Sequence, residues 1–158
     1  MDDYTKLLPY IISELKDFRV FKKYLGEDID PSKASFNFYR SKITSWEEVG
    51  NVKHIGGDLN LYASSIITLG NLESVGGSIF LRDSQISFLG KLKHVGGGLH
   101  ISDTPIKSLG DLETIGGNLS LHETFYLTDL GNLKEVKGEI YYDKRTNTEK
   151  LLKERNLI

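Results

Sequence analysis

The stretch "LESVGGSIFLRDSQISFLG", residues 72–90, is followed by "LKHVGGGLHISDTPIKSLG", residues 92–110, and by "LETIGGNLSLHETFYLTDLG", residues 112–131. One line of sequence is being rewritten, and repeats of this length define an architecture before any single residue does. The glycine pairs Gly56-Gly57, Gly76-Gly77, Gly96-Gly97 and Gly116-Gly117 recur every 20 residues, and a fifth unit carries Lys137-Gly138 one residue late. A second glycine column runs Gly50, Gly70, Gly90, Gly110 and Gly131. The one-residue offset places an insertion near "HETFYLTDLG". A worn copy, "FNFYRSKITSWEEVGNVKHIGG", precedes the regular units, with three residues added before Gly50.

Each unit holds one short alternating segment: Leu59-x-Leu61, Ile79-x-Leu81, Leu99-x-Ile101, Leu119-x-Leu121 and Ile140-x-Tyr142. Period two means a strand with one face turned inward. A lone strand cannot bury that face, but strands stacked at about 4.8 Å merge their apolar residues into one core. The columns Leu69/Leu89/Leu109/Leu130, Leu72/Leu92/Leu112/Leu133, Val75/Val95/Ile115/Val136 and Ile66/Ile86/Ile106 enter the same core from the return path. The pattern predicts a repeat solenoid of short parallel β-strands, one per 20-residue coil and about six in all, at 36–39, 58–62, 78–82, 98–102, 118–122 and 139–143. So short a coil leaves no room for a helix on the return side, which must be extended or 3₁₀-like. The paired glycines fall where the return path turns into the strand. Either a left-handed corner or crowding between stacked coils admits glycine there and little else. A phosphate-cradling loop does not fit, since no helix and no Lys-Ser/Thr follow the glycines.

With these columns in hand, the unit resembles a short leucine-rich repeat, L-x-x-L-x-L-x-x-N-x-I recast as L-x-x-V-G-G-x-L-x-L-x-x-S/T-x-I. The "VGGxLxL" and "LGxLxxV" phrases are also similar to the L domains of growth-factor-receptor ectodomains. The resemblance spans roughly residues 36–145 and departs at the asparagine column, filled here by Ser64, Ser84, Thr104 and Thr124. Their hydroxyls are expected to bond backbone groups between coils. The receptor domains' cysteines are absent.

Solenoid ends need closure. Residues 1–30, with Leu8, Ile11, Ile12, Leu15, Phe18 and Leu25 near helical spacing, are expected to form an N-terminal helical cap. Residues 31–145 make the solenoid, and residues 146–158 a C-terminal helical cap begun by a Thr146/Glu149 capping box. The charged column Lys53, Glu73, Lys93, Glu113, Lys134 alternates in sign, so stacking sets each lysine beside glutamates. His54 and His94 next to it are expected to occupy a packing column.

The chain has 158 residues, a formal net charge of −2, no cysteine and 39% hydrophobic residues. That composition reads as one folded domain with no basic field for nucleic acid or anionic membrane, and it fits a reducing, cytoplasmic setting. No stretch reads as a signal peptide or membrane span.

Function is therefore sought on the outward strand positions. They form three rows: Ser35, Asp58, Ser78, Gly98, Asn118, Glu139; then Asn37, Asn60, Phe80, His100, Ser120, Tyr141; then Tyr39, Tyr62, Arg82, Ser102, His122, Asp143. Tyr39, Tyr62, Phe80, Arg82, His100, His122 and Tyr141 are the expected partner-binding residues, because aromatics and arginine anchor interfaces. The same aromatics could instead pack on one another across strands. The expectation is a non-enzymatic module for a protein partner, with no catalytic residue, metal or cofactor. Resemblance to compact repeats of bacterial and phage reading frames implies an inhibitor or adaptor. Two alternatives stand: a metal-dependent enzyme built on His100 and His122 with Asp83, Asp103 or Glu123, and a small-molecule-binding or self-assembling structural protein.

Overall fold

The computed structural model of the protein describes residues 31–50 and 52–158, so the expected N-terminal helical cap lies outside the described residues. The described chain winds as a solenoid with about twenty residues between stacked parallel strands. One six-stranded sheet runs in the order β1 (Phe36–Asn37), β3 (Leu59–Asn60), β5 (Ile79–Phe80), β7 (Leu99–His100), β9 (Leu119–Leu121) and β11 (Ile140–Tyr142). These strands are shorter than the sequence pattern suggests, although their hydrogen-bond ladder runs on, as in Phe38 N–H to the Asn60 carbonyl at 2.7 Å.

The return path carries a second parallel sheet that the pattern did not separate from a loop. It consists of β2 (His54–Ile55), β4 (Ser74–Val75), β6 (His94–Val95), β8 (Thr114–Ile115) and β10 (Glu135–Val136). A third side is pinned by single bridges, Ser45 to Thr68, Thr68 to Phe88 and Ser108 to Asp129. In the lengthened first coil the extra residues form a 3₁₀ turn over Trp46–Val49, closed by a Ser45/Glu48 capping box. Trp46 is fully buried there, donates from Nε1 to the Val52 carbonyl at 2.8 Å, and meets Phe36 and Phe38 edge-on. The alternating strand positions and the return-path columns join in one core running from Phe36 to Leu133 and taking in Leu152.

The two glycine columns do different work. The paired glycines bend the chain from β2 into β3 and likewise in later coils, with ordinary φ, and crowding is what excludes other residues. A Cβ on Gly96 would lie closer than 3.0 Å to the Gly76 carbonyl of the coil before. The second column turns left-handed as well as being crowded, with φ of +60° at Gly90 and the Gly70 carbonyl within 3.0 Å of where its Cβ would lie; Gly110 has open space. A further left-handed corner follows the main strands at Arg40, Ala63, Asp83, Asp103 and Glu123.

The hydroxyl column does not bridge coils. Thr104 and Thr124 donate to the carbonyls of Ile101 and Leu121 in their own coils, both at 2.7 Å, and the buried Ser41 and Ser64 hydroxyls have no partner. The charged column does pair, with Lys53 to Glu73 at 3.1 Å and Lys134 to Glu113 at 2.6 Å. His54 and His94 are exposed on the second sheet, not packed, and each Nδ1 meets a hydroxyl of the next coil, Ser74 or Thr114.

At the C-terminal end, α1 (Thr148–Glu154) closes the stack with Leu152 buried in the core. The expected capping box does not form. Asn147 is the N-cap, Thr146 Oγ1 turns to the Asp143 carbonyl, and Glu149 is held by Lys153 at 2.7 Å. Among the described residues no helix is long and apolar enough to cross a membrane.

Candidate functional site

Register fixes the outer face of the six-stranded sheet. Asn37, Asn60, Phe80, His100, Ser120 and Tyr141 stand directly opposite one another from strand to strand. Two residues later the ladder sets Tyr39, Tyr62, Arg82, Ser102 and His122 in a second row, through bonds such as Arg40 N–H to Tyr62 O and Ala63 N–H to Arg82 O. All seven residues singled out from the sequence therefore share this face. Tyr39, Arg82, His122 and Tyr141 are exposed, while Tyr62, Phe80 and His100 are half-buried.

The half-burial has a cause: the aromatics stack on one another. Tyr39 lies on Tyr62 with centroids 5.5 Å apart, Phe80 on His100 at 5.0 Å and 3°, and His122 on Tyr141 at 6.5 Å. Such pairs hold each ring in one orientation, so part of the aromatic surface is spent inside the face and the rest is presented rigidly.

Both rows are interrupted at one place. Ser120 stands where the first row would continue the Phe80–His100 stack, and Ser102 stands between Arg82 and His122 in the second. The two hydroxyls bond each other at 2.9 Å, and Ser102 is buried at 6% exposure. Above them opens a depression of about 420 Å³ walled by Arg82, His100, His122, Asp103, Glu123 and Arg145. Burial lowers the pKa of His100. Its ring leans over Gly98, where any side chain would crowd Nε2.

The rim is charged. Arg82 Nε reaches Asp103 at 3.3 Å and Asp83 at 3.6 Å, while Arg145 reaches Glu123 at 3.6 Å. Arg145 is chiefly committed to Asp143, with Nε within 3.1 Å of both carboxylate oxygens, and its side-chain and backbone hydrogen bonds bring the Asp143 pKa down to about 2. Glu123 is raised, first by a hydrogen bond with Asp103 and then by that neighbour's charge. Tyr62 is raised by its hydrogen bond to Asp83, and Tyr141 by its bond to Glu139.

His100 and His122 line the same depression, but each ring is stacked on a different aromatic. Among the described residues no three His, Cys, Asp or Glu side chains gather to hold a metal. The serine hydroxyls bond each other, and neither is bonded to an imidazole. The sequence reading missed Arg145, which follows the last strand and reaches back over the face. It also missed the exposed apolar residues of the third side, Ile67, Phe88, Phe125 and Tyr126. The insertion that broke the period is the signal for the last two.

Comparison with known proteins gives no relative: no family model matches the chain, and neither curated proteins nor solved structures provide a match.

Proposed function

We propose that the protein is a non-enzymatic recognition module of leucine-rich-repeat type that presents the outer face of its six-stranded sheet to a protein partner. One observation carries this reading: Tyr39, Tyr62, Phe80, Arg82, His100, His122 and Tyr141 lie on a single face in strand register, and all but Arg82 form stacked pairs. Six strands at about 4.8 Å make a surface about 24 Å long, the scale of a modest protein interface. Aromatic side chains already fixed by stacking lose little rotamer freedom when a partner closes over them. By its resemblance to compact repeats of bacterial and phage reading frames, the module serves as an inhibitor or adaptor of a cellular factor.

The test is recovery of a stoichiometric protein from the cells that express the module. Tyr39→Ala with Tyr62→Ala should lose that protein while the circular dichroism spectrum stays unchanged. Retention by this variant, with loss on His54→Ala and His94→Ala of the second sheet, would move the interface to the opposite side and contradict the proposal.

A further inference from the structure

Each of the two rows on the outer face is broken by one serine. Along the first row the order of coils is Phe80, His100, Ser120, Tyr141, and along the second it is Tyr62, Arg82, Ser102, His122. In each row a serine separates two flat side chains that stand two coils apart, about 9.6 Å. A flat group entering the first break would sit about 4.8 Å from His100, within the range in which such groups stack. The two breaks lie in neighbouring coils and open into one depression, flanked by His100 and His122 and floored by the paired hydroxyls of Ser102 and Ser120.

The charge around it selects among flat groups. Asp103, Glu123 and Asp143 line the slot, and Arg82 and Arg145 are the cations that answer them. One negative charge is left over. Arg145 is held chiefly by Asp143, and Arg82 is shared between Asp83 and Asp103, so Asp103 and Glu123, which face each other, are incompletely compensated. The raised Glu123 carboxyl agrees with that shortage. A neutral ring would desolvate these carboxylates without pairing them, which is unfavourable. An anion would be repelled. An ammonium would satisfy the charge but leave the gap between the rings unfilled.

We propose that the slot over Ser102 and Ser120 receives an arginine side chain of the partner, its guanidinium lying against His100 and His122 with its N–H groups toward Asp103 and Glu123. A guanidinium is flat, permanently cationic, stacks on aromatic faces and matches carboxylates with paired N–H groups. The contacts from Arg82 to Asp103 and Arg145 to Glu123 are the same chemistry supplied by this chain at the slot's two ends. The assignment rests on the reading of this face as the recognition surface.

Titration followed by amide NMR tests it, with N-acetyl-arginine amide, N-acetyl-lysine amide and N-acetyl-citrulline amide as probes at neutral pH. The arginine derivative should shift Ser102, Ser120 and Glu123 saturably and bind at least fivefold more tightly than either of the others. Ser120→Phe, which fills the slot from within, should abolish the response, and Asp103→Asn should weaken it at least threefold, both with unchanged circular dichroism. Equal binding of lysine or citrulline, an unaltered response in Ser120→Phe, or no saturable response in the wild type would overturn the assignment. With a captured partner in hand, a Ser120→Phe variant that keeps it while Tyr39→Ala with Tyr62→Ala loses it overturns the slot but leaves the face. Retention by both variants removes the face itself.

Discussion

A methyl group on Gly96 would press on the carbonyl of Gly76, whereas one on Gly110 would meet nothing within 4 Å and suffer only the left-handed φ of +56°. Gly96→Ala should therefore cost about 1–3 kcal/mol, because two coils must part. Gly110→Ala should cost about 1 kcal/mol. Urea denaturation of the two variants separates these cases. These two glycines look alike in sequence, since crowding depends on the distance between coils and not on neighbouring residues. The left-handed corner at Arg40, Ala63, Asp83, Asp103 and Glu123 was illegible for a different reason: four residue types fill it, none of them glycine. At Asp143 the carboxyl is held at about 2, below its ordinary 3.8, by Arg145. Its contribution to stability is thus present above the ordinary value and lost as pH falls through about 2. Arg145→Ala should return the Asp143 midpoint, read by carboxyl NMR, to the usual range and flatten the loss of stability over that acid interval.

Among the turns that follow the strands, the same column is occupied by a bonded threonine and an unbonded serine. Thr104 donates to the Ile101 carbonyl, and the buried Ser64 hydroxyl has no partner. Thr104→Ala should lower stability by about 1 kcal/mol, while Ser64→Ala should leave it unchanged or raise it, because a buried hydroxyl without a bond is itself a cost. Thermal unfolding of the pair checks the contrast. The strand positions were legible because the inward leucines alternate. The second sheet was not, since only one residue of each two-residue segment is inward, as in His54–Ile55, and a single apolar residue has no period. Capping shows the same limit. Both Ser45-x-x-Glu48 and Thr146-x-x-Glu149 carry the pattern, yet only the first closes, because Lys153 takes Glu149 and the Asp143 carbonyl takes Thr146.

Across the molecule, stacking turns a linear spacing into adjacency, and both the aromatic face and the slot depend on that adjacency. The sequence placed Tyr39 through Tyr141 on one surface by counting alone. It could not show that the rings lean on one another, or that Arg145 folds back over the last strands, because those depend on side-chain direction and on the path after β11. The absence of cysteine makes introduced labels unambiguous. Spin labels at Lys53 and Lys93 span two coils, and labels at Lys53 and Lys134 span four. Pulsed dipolar spectroscopy on the two doubly labelled proteins should give mean distances that differ by about 10 Å, the rise of two further coils at about 4.8 Å each. Equal distances in the two proteins, or a longer one for the nearer pair, would contradict the stack on which the whole surface is built.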